Sequence, residues 1–371
     1  PPLGRTKTPN LDSMAEIVLQ QLTKRFGDTL AVQELTLRLE AGELVALLGP
    51  SGCGKTTTLR MVAGFETPTE GRVLLGDRDV TDEPPERRNC GMVFQNYALF
   101  PHLTVEQNVA FGLEMRRLGR ADVRRRVAEI LDRVGLRGLG QRYPRQLSGG
   151  QQQRTALARA LIINPAVLLL DEPLANLDAK LREEMRFYIR SLQREFSITT
   201  LYVTHDQAEA LVLADRVAIL MHGALEQYDP PEEVYHRPKS AAVAGFIGLT
   251  NLLPGRVRTF AGDRLVLDTA AGPIGARGGT ALREGDEVLL SLRPEHLEIG
   301  DAAAPAAGRN RLRGTVRERT FLGSLIDFRV DVGHDIVLRV QGHVGTKERV
   351  GDPVIVSFDA ATAWAVPRDG A

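Results

Sequence analysis

The chain is poor in cysteine, in charge of one sign and in long apolar runs, and each shortage removes a class of protein. Two cysteines, Cys53 and Cys90, among 371 residues cannot build a disulfide framework, and their scarcity suits a reducing compartment. Lysine plus arginine and aspartate plus glutamate balance at 47 each, so no overall field draws the chain to nucleic acid or an anionic membrane. No apolar run approaches the about 20 residues of a membrane-crossing helix, so any work at a membrane is expected to go through partners. Residues 1–13 are polar, contain proline and lack an apolar core segment, and read as a flexible tail, not a signal peptide. What remains is ordinary globular composition, 43% hydrophobic and 25% charged, with length enough for two domains.

Strands and helices alternate through the first two thirds. Glu16–Leu19 and Leu35–Leu39 read as strands, and Leu44–Leu48 as a buried strand running into a glycine loop and a helix, Thr56–Ala63. Helical spacing marks Thr104–Leu118, Ala121–Val134 and Gly149–Ile163, a mostly helical insertion over about residues 96–160. Val167–Leu170 is an apolar strand ending at Asp171; a helix, Lys180–Phe196, and strands Thr199–Val203 and Asp215–Leu220 follow. This order predicts an α/β fold with a mainly parallel sheet covered on both faces. Composition changes near Gly245–Gly255, which bounds a first domain at 14–245 and a second at 246–371. The second shows short alternating strands (Arg264–Leu267, Glu287–Leu292, Leu325–Val332, Ile336–Val340, Val354–Phe358) between Gly, Pro and Asp turns, the pattern of a small all-β barrel or sandwich. Two small barrels in tandem would fit, with Asp301–Gly308 as a loop between strands.

The residues that carry chemistry begin with Gly49, Pro50, Ser51, Gly52, Cys53, Gly54, Lys55 and Thr56, which fit G-x-x-x-x-G-K-[ST], with Thr57 next. Gly49, Gly52 and Gly54 let the backbone turn tightly and aim N–H groups at phosphate oxygens. Lys55 supplies a cation for the outer phosphates, the Thr56 hydroxyl suits Mg²⁺, and the helix behind them adds its positive end. Asp171, at a strand end, can orient the same Mg²⁺ through water. Glu172 follows and, by strand alternation, points the other way, toward the attacking water as general base. Ser148, Gly149 and Gly150, with Gln151, open another helix and offer a second anion site. One chain thus has two phosphate-binding helix ends and one lysine loop. That pattern invites a composite site, one copy's loop closing with another's Ser148–Gly150 on one nucleotide.

With Gln95 in Val-Phe-Gln-Asn, Asp178 in Asn-Leu-Asp-Ala-Lys and His205 in Val-Thr-His-Asp, the array from Phe26 to about Tyr235 resembles the nucleotide-binding subunit of an ABC transporter. The resemblance implies a P-loop NTPase cassette with a helical subdomain that hydrolyses ATP with Mg²⁺. Phe26 would stack on adenine, and Gln95 would touch Mg²⁺ and the attacking water. His205 would contact the γ-phosphate and hold Glu172, and Asp178 would cross a homodimer interface. Two transmembrane permease subunits would be the partners, with an extracytoplasmic solute-binding protein acting through them, at the cytoplasmic face of the cell membrane and without nucleic acid.

Ala241–Ile247, Thr250–Gly255 and Leu292–His296 resemble the OB-like, TOBE-type C-terminal domain of importer ATPases, which serve oligosaccharides, glycerol phosphate, polyamines, ferric iron and sulfate. Thr56–Arg60, Phe65-Glu66 and Phe246–Asn251 stand closer to the spermidine/putrescine branch. DNA-repair heads that share the signature carry long coiled coils between the motifs, and none lies here. Tyr97–Leu103 suits both packing of the helical insertion and a groove for a permease helix. Arg116, Arg117, Arg120, Arg124, Arg125 and Arg126 read by default as a solvated helix face, with lipid headgroups as the alternative contact. Cys53 fills space in the phosphate loop, where bulky alkylation is expected to block ATP.

Overall fold

In a computed structural model of the chain, residues 15–279, 282–300 and 309–368 are described. The expected tail at 1–13 and the loop Asp301–Gly308 lie outside them. The chain divides into two compact units, one ending at Pro231 and one starting at Glu232.

The first unit runs β1 (Ile17–Phe26), β2 (Thr29–Leu39), β3 (Leu44–Leu48), α1 (Lys55–Ala63), β4 (Glu70–Leu75), β5 (Arg78–Asp79), β6 (Cys90–Val93), α2 (Val105–Met115), α3 (Arg120–Arg133), α4 (Gly149–Leu161), β7 (Val167–Asp171), α5 (Ala179–Phe196), β8 (Thr199–Thr204), α6 (Gln207–Leu213), β9 (Arg216–Met221) and β10 (Ala224–Asp229). Its main sheet has the order β10-β9-β3-β8-β7-β6, parallel except for the β10 edge. A separate antiparallel sheet, β2-β1-β4-β5, packs on it. Alternate residues of one strand serve two cores: Val45 and Leu47 join α1 and the antiparallel sheet, while Leu44 joins α2 to α5. That is why these strands read as unbroken apolar runs.

β1 is longer than the expected Glu16–Leu19. Register shifts after Leu19, Leu22 and Lys24, with Gln21 at φ 49°, scramble the alternation that marks a strand. Helix starts follow their caps closely. Thr104 accepts from Gln107 N at 3.3 Å while Gln107 Oε1 accepts from Thr104 N at 2.9 Å, which fixes the first residue of α2.

The second unit takes in most of α7 (Pro231–His236), then α8 (Ala241–Phe246), β11 (Asn251–Ala261), β12 (Arg264–Thr269), β13 (Gly272–Gly278), β14 (Glu287–Leu292), β15 (Glu298–Gly300), β16 (Arg309–Phe321), β17 (Leu325–Asp331), β18 (Val337–His343), β19 (Pro353–Asp359) and β20 (Ala363–Pro367). Strands β11-β12-β13-β20-β14 close a barrel, and β15-β19-β16-β17-β18 form an open five-stranded sheet. The tandem-barrel expectation is thereby corrected. One barrel closes, and the second sheet is inserted between its strands β14 and β20.

The division after Pro231, not near 245, has a physical cause. Arg293, only 3% exposed, donates Nη2 to Tyr235 O at 2.8 Å and Nη1 to Ala244 O, Ile247 O and Leu249 O. Tyr235 in turn donates its hydroxyl to Glu295. The Leu292–His296 motif thus straps residues 235–249 to the β unit. Among the described residues no helix is long and apolar enough to cross a membrane.

Candidate active site

The loop between β3 and α1 is shaped by glycine. Gly52 and Gly54 have φ of 80° and 98°, and a Cβ on Gly49 would sit 2.2 Å from Leu220 O. Lys55 is buried and folded back over its own loop, donating Nζ to Gly49 O at 2.7 Å and Pro50 O at 2.9 Å. Beside it a cavity of about 240 Å³ is lined by Ser51, Gly52, Gly54, Lys55, Thr56 and Thr57, with Ala31 and Glu172 opposite. Pro50 and Cys53 are not among the lining residues. The Cys53 side chain, 2% exposed, is turned into the core behind the loop, and burial pushes its thiol up. Its sulfur lies 3.7 Å from Lys55 Nζ, so the thiol stands behind the lysine that lines the cavity.

Across the cavity β7 ends on Asp171, whose Oδ1 accepts from Thr56 Oγ1 at 3.3 Å. Burial raises the Asp171 carboxyl above the usual range, the Thr56 bond lowers it, and the neighbouring Glu172 charge raises it further. Glu172 is not placed by strand alternation. It stands past the end of β7 in a left-handed turn at φ 43°, its N–H on Val203 O at 3.0 Å. Two groups meet its Oε2: His205 Nδ1 at 3.0 Å and Gln95 Nε2 at 3.5 Å. The structure thus brings Lys55, Thr56, Asp171, Glu172, His205 and Gln95 around one space.

The other predicted residues stand apart from it. Ser148 caps α4, accepting from Gln151 N at 3.3 Å while Gln151 Oε1 accepts from Ser148 N at 3.0 Å, so the hydroxyl is engaged within its own helix end. Gly149 and Gly150 face Leu177 and Leu181, where a Cβ would lie 3.0 and 3.1 Å from those side chains. Asp178 caps α5 through Leu181 N at 2.9 Å. Among the described residues, no hydrogen bond of Ser148, Gln151 or Asp178 reaches the phosphate loop. Phe26 ends β1 with its ring 47% exposed and Lys24 Nζ 4.8 Å from the ring centre. Tyr97 is buried in the helical core, which removes its side chain from any surface groove; Phe100 packs tilted against the exposed Phe111, ring centres 4.7 Å apart. Arg116 and Arg125 of the basic cluster are occupied, by Ile163 O and Asn89 and by Asp122 and Glu129.

Residues 32–175 match the family described as ABC transporter, and residues 290–366 match the TOBE domain. A spermidine/putrescine import ATP-binding protein of Acidothermus cellulolyticus is 47% identical over 369 residues, covering 97% of this chain and 94% of the relative. The chain belongs to the ATP-binding subunits of ABC transporters. Another spermidine/putrescine import ATP-binding protein, from Thermobifida fusca, is 43% identical across 98% of this ATPase and 97% of the relative. An Fe(3+) ions import ATP-binding protein of Agrobacterium fabrum is 42% identical across 92% of this chain and 95% of the relative. Among solved structures, a dimeric ATP-binding cassette in a post-hydrolysis state with ADP and Pi matches with a TM-score of 0.52 at 33% identity, covering 58% of this chain and 98% of that one. The fold is an ABC cassette followed by an all-β TOBE unit, and the chain is an ATP hydrolase.

Sequence reading missed the groups that hold this ATPase site together. Arg88, 2% exposed, ties the end of α1 to the segment before β6 through Met61 O, Val62 O, Thr81 O and Glu83 O. Asn176 Nδ2 holds Gln95 O at 2.8 Å, and Asn108 takes Phe100 N and O together with Leu103 O. Arg159 had a signal, a lone charge inside Ala156-Leu-Ala-Arg-Ala-Leu161, where a helix buries its other residues. Arg88 had none.

Proposed function

We propose that this ATPase powers polyamine import as a pair of copies on the cytoplasmic face of the membrane, docked on two permease subunits that receive solute from a binding protein. The observation that carries the reading is the meeting of His205 and Gln95 on one carboxylate oxygen of Glu172, beside the Lys55–Thr56 cavity. Loop N–H groups and the start of α1 bind the phosphates of ATP. Lys55 exchanges its loop carbonyls for phosphate oxygens, and Phe26 offers its exposed ring to adenine. Glu172, oriented by His205, accepts the proton of the water that attacks the γ-phosphorus; the bond to the β-phosphate oxygen breaks, leaving ADP and phosphate. Gln95 aligns that water.

Thr56 Oγ1 and Asp171 Oδ1, hard oxygen donors 3.3 Å apart, suit Mg²⁺, with Gln95 within the same group. When bound, Mg²⁺ neutralises charge building on the phosphate oxygens. Ser148, Gly149, Gly150 and Gln151, with Asp178, serve the nucleotide held by the second copy. Their distance from their own loop's hydrogen bonds supports this. ATP then favours the closed pair by bridging it, and hydrolysis removes the bridge.

Glu172→Gln is expected to bind ATP with affinity near wild type, lose about 10²–10⁴-fold in turnover, and accumulate as a dimer with MgATP in light scattering. Turnover like wild type would remove Glu172 as the base. The polyamine assignment draws on the similarity to spermidine/putrescine relatives. Reconstituted with its permease and binding protein, the ATPase is expected to respond to spermidine or putrescine; a response to ferric iron instead would reassign the solute and leave the ATPase chemistry intact.

A further inference from the structure

Two residues past Gln95 the backbone adopts what its side chains do not favour. Tyr97 has φ 60° and Ala98 φ 45°, consecutive left-handed residues without a glycine. Such a pair persists only where its surroundings over-determine it. Tyr97 N–H closes a turn on Phe94 O at 2.8 Å, but its buried hydroxyl has no partner. A further determinant, holding both carbonyls, comes from α4: Arg159 donates Nη2 to Tyr97 O at 2.8 Å and Nη1 to Ala98 O at 2.6 Å. Its guanidinium carbon lies 5.6 Å from the Phe100 ring centre, and among the described residues it makes no ion pair. Two adjacent carbonyls gripped at once require the planar fork of a guanidinium, which a lysine ammonium does not reproduce.

The fork sits in the middle of a short mechanical chain. On one side the backbone runs from Ala98 and Tyr97 to Gln95, which is anchored by Asn176 at 2.8 Å and reaches Glu172 at 3.5 Å. On the other side, α4 is one 13-residue helix from the Ser148 cap to the turn that carries Arg159. A shift of the Ser148 end is therefore passed along α4 to the two carbonyls next to Gln95.

We infer that Arg159 is a positioning residue, whose fork holds Tyr97 and Ala98 left-handed, sets Gln95 against Glu172, and ties Gln95 to the Ser148–Gly150 end of α4. It touches neither nucleotide nor reacting atoms. The inference rests on the roles proposed above for Glu172 and Gln95.

The test uses the full chain, with MgATP turnover and the Kd of a fluorescent ATP analogue measured in parallel. Arg159→Lys keeps the charge and loses the fork; turnover is expected to fall about tenfold with Kd within about twofold. Adding Ala98→Gly, which takes the left-handed turn without strain, is expected to restore turnover to within about threefold of wild type. Ala98→Val probes the same backbone without touching the arginine. The position is exposed, yet β-branching disfavours φ 45°, so turnover should fall while Kd holds. Arg159→Lys turning over like wild type, Kd weakening in step with turnover, or Ala98→Gly failing to rescue would each overturn the proposal. If Arg159→Lys does not fold, wild-type turnover in Ala98→Val overturns it alone. Full turnover in Glu172→Gln would instead sink the reading of the site, an outcome distinguishable from all of these.

Discussion

Cys53 stands in the phosphate loop with its thiol buried in the core, 3.7 Å from Lys55 Nζ. The Gly49 that precedes it cannot carry a side chain, because a Cβ would strike Leu220 O and come within 2.6 Å of the Cys53 sulfur. The cysteine is thus packing, and its reactivity should show it. Thiolate is the reactive form, and burial raises the Cys53 thiol, partly offset by the Lys55 charge, so less of it ionises at neutral pH. Cys90 is pushed up to about 12 by burial. In a Cys90→Ser background, maleimide labelling of the folded chain at pH 7 is expected to run at least about 100-fold slower than that of a free thiol. It should quicken roughly tenfold per pH unit toward alkaline solution and jump on unfolding. Rapid stoichiometric labelling at pH 7 would contradict this placement.

Helix α5 shows how the elements are pinned beneath the site. Its Arg190 donates to both oxygens of Asp215, which also accepts Leu44 N at 2.9 Å. One carboxylate therefore joins α5, the start of β3 and the residue before β9. Burial alone would raise Asp215, but the Arg190 bond, the Leu44 N–H and the Arg190 and Arg194 charges outweigh it, and the carboxyl is lowered overall. A lowered carboxyl stabilises the fold above its unfolded value of about 3.9 and loses that contribution as pH falls through its lower folded value. Asp215→Asn is therefore expected to lower stability by about 1–2 kcal/mol at pH 7, reduced by the site's partial exposure, with the deficit fading below about pH 4. Denaturation midpoints across pH would check it; a deficit that grows toward acid would be the wrong sign. Sequence legibility follows the same division between local and distant. The phosphate loop, β3, β7 and β8 could be read because glycine geometry and apolar runs are local signals. The clamps of Arg88 and Arg293 could not, since each is a charged residue with backbone carbonyl acceptors remote in the chain, and the lone charge of Arg159 in its apolar helix marked the residue but not its acceptors. The left-handed Tyr97–Ala98 pair was equally hidden, because neither residue type advertises that conformation.

At the scale of the molecule the two units differ in how their chain is laid down. The first collects its strands into two sheets around α1 and two apolar cores. The second wraps 11 strand-forming residues at its start, β11, onto β14, and leaves the last seam to β20, which pairs Leu289 with Val366 and Leu290 with Ala365. Arg293 then straps the connecting residues 235–249 to this unit alone. Arg293→Met should leave those carbonyls unpaired and lower the melting of the second unit by the equivalent of about 2–4 kcal/mol, with no rescue by ATP, which acts on the first. Differential scanning calorimetry with and without MgATP separates the two transitions. Full recovery with nucleotide would show the strap serving the first unit instead.

The late seam has a consequence for biosynthesis. While the nascent chain is still emerging from the ribosome, the ATP-binding unit has all its strands and can mature, but the barrel waits with the edges of β13 and β14 bare until residue 367 is out. A premature stop anywhere in the final dozen codons before that point would spare every residue that handles ATP and still yield a sticky, half-open product.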